Sequence, residues 1–290
     1  MKSALSINLV LLFIALVWGF GFVPQRLGMD YMGPNAFNAL RFAIGAITLI
    51  PIFWCLRSIA WANFKFDATL RLGLLLGIIL FGGAALQQIS IQYTKLANVA
   101  FITGLYVIIV PLIGYFLGHR YKLIVWIGGF LAILGMYLMN DPSDQVSLWG
   151  DFLALLGAVF WAIHLLVLSE KSGQHNQLVL AFYQFAFCAL LSLAAALAFE
   201  PQGIPIDQQS LLWPMVNGVL VVGVAYTLQV WVMEHAEPFL ASLILALEAV
   251  FGAWFGYVFF DESLLMAGLF GAGLMLLGCL LAQLPNTQRK

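Results

Sequence analysis

Long apolar stretches separated by short polar breaks recur ten times along this chain, and that pattern leaves few folds open to it. The stretches lie near 7–27, 35–56, 70–91, 97–117, 122–140, 151–169, 178–199, 212–233, 239–259 and 264–284. Crossing about 30 Å of hydrocarbon at about 1.5 Å per residue takes a helix of about 20 residues. Hydrocarbon offers backbone N–H and C=O groups no water, so each stretch must satisfy them internally, as helix. The breaks carry turn or charge signals, among them "MDYMGPN" (29–35), "DPSDQ" (141–145), "EKSGQHNQ" (170–177), "EPQGIP" (200–205) and "EHAEP" (234–238). The expected fold class is therefore all-α integral membrane, with ten transmembrane helices. Composition agrees: 9% of residues are charged, against about 25% in a soluble domain, too few to build a water-facing surface. The opening "MKSALSINLVLLFIALVWGFGF" has too long an apolar run for a signal peptide and no small-x-small cleavage site, so it reads as a retained first helix.

An even number of crossings puts both termini on one side. If that side is the cytoplasm, it holds Lys2, Arg57, Lys65, Arg71, Arg120, Lys122, Lys171, Arg289 and Lys290. The opposite side holds only Arg26 and Lys95, and Arg41 lies inside the second helix. This bias predicts cytoplasmic termini, in a bacterial inner membrane or a plasma membrane.

All loops are short, so whatever this chain does happens within the bilayer. The sequence has no GxxxxGK[ST] nucleotide loop and no HExxH, and its aspartates lie in loops or at helix ends. Cys55, Cys188 and Cys279 are far apart and match no metal or redox spacing. No cofactor, metal or nucleic acid is expected, and enzyme chemistry is disfavoured. The expected partners are the lipid bilayer and a small-molecule substrate.

The chain compares with itself at an offset of 142–143 residues. Trp18 falls on Trp161, Leu105 on Leu247, Gly114–Tyr115 on Gly256–Tyr257 and Gly129 on Gly271. Each half reads as five helices. Five is odd, so the second copy must enter the membrane inverted, and the charges agree. "HRYK" (119–122) after the fourth helix is basic, and "DES" (261–263) after the ninth is acidic. Inverted repeats recur in secondary transporters, where they provide two pseudo-symmetric arrangements of one fold.

With "WG" at 18–19, "LRF" at 40–42, "LYVIIVPLIGYFLG" at 105–118, "GDFLALLGAVFWA" at 150–162 and "LEAVFGAWFGYVFFDE" at 247–262, the whole chain resembles the drug/metabolite transporter superfamily, EamA type. The chain departs from the family pattern at His119–Arg120, where a Gly-Glu pair is common, and at Ala249, where Pro is common. The resemblance implies two EamA-type repeats, 1–140 and 141–290, forming a basket of ten helices around a central cavity, with the fifth and tenth helices peripheral. It also implies export of amino acids, nucleosides or other metabolites.

The polar residues at depth are the candidate site. Glu248 lies about ten residues into the ninth helix, where a lipid-facing carboxylate would cost at least ~2.5–3.5 kcal/mol. Ala241, Gly252 and Gly256 share its face, which marks that face for close helix contact. Glu248 is a candidate for proton coupling or for binding a substrate amine, with a packing carboxyl as the alternative. Its repeat mate is Tyr106. Arg41 shares a stripe with Asn38, Gly45 and Thr48; its partner could be Glu248, a substrate carboxylate or the outer surface. His164 could relay protons or simply bond a neighbouring helix. Gln87, Tyr183 and Tyr226 are further cavity candidates. Trp18, Trp161, Tyr106 and Tyr226 lie away from the interfacial belts where Trp and Tyr gather, and can be cavity walls or core filler. The pairs Gly73–Gly77, Gly114–Gly118 and Gly252–Gly256 argue for helix contact, within the chain in preference to a homodimer. Together these features read as a secondary transporter of amino acids or related metabolites, working by alternating access. Export is favoured over import, driven by protons or by the solute's own gradient. An intramembrane enzyme or a scaffold is the reading from another class.

Overall fold

The computed structural model describes residues 4–55, 68–94, 96–139, 147–260 and 266–282. Ten helices cross the membrane region within them: α1 Ala4–Gly28, α2 Pro34–Cys55, α3 Ala68–Ser90, α4 Asn98–Phe116, α5 Leu123–Met139, α6 Leu148–Lys171, α7 Gln177–Phe199, α8 Gln208–Met233, α9 Pro238–Phe260 and α10 Met266–Ala282. The expected count and order hold. Part of the charge pattern that suggested sidedness (Lys2, Arg57, Lys65, Lys95, Arg289, Lys290 and the 261–263 run) lies outside the described residues.

Most second-half helices begin at a polar cap, which satisfies N–H groups that the helix itself leaves open. Ser147 accepts from Gly150 N at the start of α6, Asn176 from Val179 N at α7, Asp207 from Gln209 and Ser210 N at α8, and Glu237 from Phe239 and Leu240 N at α9. The cap of α2 comes from far away in sequence. The Glu200 carboxylate, at the end of α7, accepts from Asn35 N at 2.7 Å, Asn35 Nδ2 at 3.0 Å and Ala36 N at 2.9 Å.

Packing follows a pseudo-twofold relation between the halves. Repeat mates α2 and α7 pack on each other, as do α5 and α10. The other contacts come in related pairs: α1 on α9 with α6 on α4, α1 on α8 with α6 on α3, and α2 on α8 with α7 on α3. Five-helix units inverted about a shared axis give this pattern. α5 and α10 contact chiefly one another, outside the rest, and expose apolar side chains such as Phe130, Tyr137, Phe270 and Leu280. Their backbones meet closely, since a side chain at Gly128 or Gly278 would run into the other's carbonyl. Gly73 and Gly77 are covered by Tyr183 and Phe187 of α7, and Gly252 by Phe22 of α1.

Four helices depart from plain α geometry: α2 is interrupted at Leu49, and the other three departures border the centre. α4 is interrupted at Leu105 and α9 at Ala246–Leu247. Two bonds of these tightened turns recur across the repeat: Leu105 N donates to Ile102 O and Leu247 N to Ile244 O, each at 3.1 Å, and Ile109 N donates to Leu105 O as Phe251 N does to Leu247 O. Tyr106 and Glu248 each open the next helical segment. α8 is wound as a π-helix over Gly218–Tyr226, a form that occurs frequently at functional sites.

Candidate substrate cavity

A cavity opens between the two repeats, with about 450 Å³ of space between atoms when its open mouth is included. Of the residues singled out in the sequence, Trp18, Arg41, Gln87, Tyr106, Trp161, Tyr226 and Glu248 line it. His164 and Tyr183 do not. His164 is fully buried and turned towards α7, where its Nε2 lies 2.9 Å from Gln184 Oε1. Tyr183 is turned onto Gly73 of α3.

One side of the wall is aromatic. The Tyr226 ring stacks near-parallel on Trp161, with centroids 5.9 Å apart and planes at 19°, and lies 5.0 Å from Trp18. The indole N–H groups of Trp18 and Trp161 are repeat mates, and both are buried without a hydrogen-bond partner. This leaves two donors and flat π-faces around the cavity, suited to a planar or cationic group.

The other side carries the ionisable groups. Glu248 lines the cavity with 5% exposure. Its carboxyl lies within interaction range of the Tyr106 hydroxyl, without the alignment of a completed hydrogen bond. Its backbone belongs to a tight crossing: a side chain at Gly19 of α1 would meet Glu248 O and Gly252 N. Arg41 is 1% exposed. Its Nε donates to Asn38 Oδ1 at 2.8 Å and its Nη1 to Asn217 Oδ1 at 3.3 Å, while Nη2 has no partner. Arg41 and Glu248 share the cavity without forming an ion pair.

Sequence reading passed over Phe22, Gln25, Thr103, Leu165, Val221 and Gln229, which also line the cavity. Five of them had a signal. Phe22 and Gln25 lie one and two turns beyond Trp18 on the same face, Leu165 one turn beyond Trp161, and Thr103 one turn before Tyr106. Gln229 follows Tyr226 by three residues and falls on Gln87 at the repeat offset. Val221 had none. Five residues separate it from Tyr226, and only the π-helical winding of α8 turns both to the same wall.

An inverted five-plus-five helix repeat around a polar, partly aromatic cavity is the build of a secondary transporter. The EamA-like transporter family model matches the chain twice, at residues 5–141 and 148–284. The chain belongs to that family. It is 30% identical over 96% of its length, and 85% of the relative's, to an "Uncharacterized transporter" of Archaeoglobus fulgidus. It is 21% identical over 96% of its length, and 89% of the relative's, to an "S-adenosylmethionine/S-adenosylhomocysteine transporter" of Chlamydia trachomatis serovar L2. A solved structure described as "Crystal structure of protein" has the same fold, with a TM-score of 0.81 at 19% identity, covering 97% of this chain and 98% of that one. The protein is a multi-pass membrane transporter of the drug/metabolite transporter kind.

Proposed function

We propose that the chain exports small organic metabolites, amino acids or related compounds, by alternating access around this cavity, with Glu248 as its proton-coupling residue. The observation that carries the reading is a guanidinium and a carboxyl that line one cavity without bonding each other. Arg41 and Glu248 both face the space between the inverted repeats, and the Arg41 partners are Asn38 and Asn217. A zwitterion of amino-acid size can bridge such a pair, while the Trp18–Tyr226–Trp161 group takes up its apolar or ring portion. The tightened turns of α4 and α9 lie beside the cavity, one in each repeat, and would serve as hinges for rocking of one half on the other. The bias of basic residues supports cytoplasmic termini. The named function of the Chlamydia relative, whose solutes include an amino-acid moiety, supports the solute class. Export rather than import is the family's common direction.

Counterflow in proteoliposomes tests the reading. Purified protein is loaded with a panel of amino acids, nucleosides and amines, each run with and without a pH gradient. Accelerated exchange of a labelled amino acid is expected, and the gradient should raise its accumulation. Exchange confined to nucleosides would overturn the solute class. No exchange by folded protein would overturn the transport reading.

A further inference from the structure

We propose that Arg41 is the anion site of the cavity, held in position by Asn38 and Asn217, and that the transported solute must carry a carboxylate. The inference rests on the transport reading above and narrows it.

The geometry is specific. Each asparagine spends its amide N–H₂ on a backbone carbonyl of another helix: Asn38 Nδ2 donates to Ala84 O of α3 at 3.1 Å, and Asn217 Nδ2 to Gly21 O of α1 at 3.0 Å. Those bonds fix which end of each amide faces Arg41, and both present oxygen. The guanidinium is thus gripped at Nε and Nη1, and the Phe42 ring lies 4.8 Å from its carbon. Nη2 remains, buried and unpartnered, on a side chain that lines the cavity. Neutral amides orient a cation but do not neutralise it, and a guanidinium keeps its charge. A buried cation is stable when paired with an anion. No acidic side chain among the described residues forms an ion pair with Arg41. The place for one is therefore on the solute. A carboxylate matches it better than a phosphate does: Nη2 is the one guanidinium nitrogen without a partner, Arg41 is the sole cation among the cavity-lining residues, and Glu248 is in the same wall.

This assigns distinct work to residues that touch no solute. Asn38 and Asn217 are positioning residues, and Asn217 also ties α1, α2 and the head of the π-helical stretch together at one point. Binding of a carboxylate at Nη2 would be felt by all three helices.

The test uses the full chain in detergent, with each proteinogenic amino acid set beside its decarboxylated amine in thermal unfolding, followed by counterflow. At least one amino acid should raise the unfolding temperature while its amine, at the same concentration, does not. Arg41→Gln should abolish the difference. If that variant fails to fold, near-isosteric Asn217→Asp carries the test. It sets a permanent carboxylate beside the same guanidinium, and affinity for the amino acid should fall at least about tenfold, the loss of one charge-assisted hydrogen bond. The proposal is overturned if the amines stabilise as well as their parents, if no carboxylate stabilises the protein, or if the preference survives both variants. Counterflow separates the two levels. Exchange of carboxylate-free solutes would leave transport standing and remove the Arg41 assignment, whereas no exchange of anything would remove both.

Discussion

Arg41 on α2 and Glu248 on α9 have mates at the repeat offset, and the mates are neutral: Gln184 on α7 and Tyr106 on α4. The contrast runs one layer deeper. Gly21 of α1 leaves its carbonyl open to Asn217, beside the guanidinium. Its mate, His164 of α6, fills the corresponding place and bonds Gln184, so that pair is tied up in packing and leaves the cavity wall. Elsewhere the halves agree closely. The tightened turns before Tyr106 and Glu248 share two hydrogen bonds, and Gln87 and Gln229 both line the cavity. In the alternating-access reading proposed above, the repeated turns would serve as hinges, one to each repeat, and the unrepeated Arg41 and Glu248 would hold the solute in one orientation.

Replacing a charged residue by its neutral repeat mate should have the largest effect. Arg41→Gln, which gives α2 the side chain of α7, is expected to lower exchange of a carboxylate-bearing solute about tenfold to a hundredfold, since a charge-assisted bond is worth about 1.5–3 kcal/mol. Exchange per folded molecule near the parent value would show that the charge asymmetry is structural. Glu248→Gln comes next. Proton-dependent flux should fall by about tenfold, the range of one lost general acid–base or charge contact, with expression near that of the parent. Flux that stays normal and pH-dependent would remove the coupling role, and lost expression alone would favour a packing role.

Two substitutions away from the cavity sharpen the contrast with smaller effects. Glu200→Ala leaves the N–H groups of Asn35 and Ala36 without their acceptor and should cost about 1–3 kcal/mol of stability, read as a lowered unfolding temperature in detergent. His164→Gln loses one buried hydrogen bond, about 1 kcal/mol. Its apparent KM should stay within about twofold of the parent, because the side chain does not reach the cavity. A large KM change there would mean that His164 or its partner Gln184 contacts solute after all.

Much of this was legible in the sequence, for identifiable reasons. Ten helices could be counted because hydrocarbon thickness sets a length, and length survives in a chain that is apolar all round. Glu248 and Arg41 stood out because charge at depth is costly and rare. The inward direction of Glu248 could be read from Gly252 and Gly256, and the structure places Gly19 and Phe22 against that face. The stripe of Gly45 and Thr48 likewise packs on Val222 and Gly223 of α8. Three features stayed hidden. The cap on α2 comes from Glu200, 165 residues away from Asn35, and no local pattern announces it. The π-helical stretch of α8 brings Val221 round to Tyr226, against the 3.6-residue period by which helical faces are read. The third is the direction of His164. A single histidine in an apolar helix has no periodic signal, and only the neighbouring Gln184 decides where it turns.

The most direct measurement is counterflow of labelled amino acids by parent protein and Arg41→Gln, reconstituted side by side in the same lipid. Rapid exchange by the parent, reduced to the level of empty liposomes in the variant, is the expected result. Equal exchange by both, from protein shown to be folded, would contradict a solute path organised around Arg41.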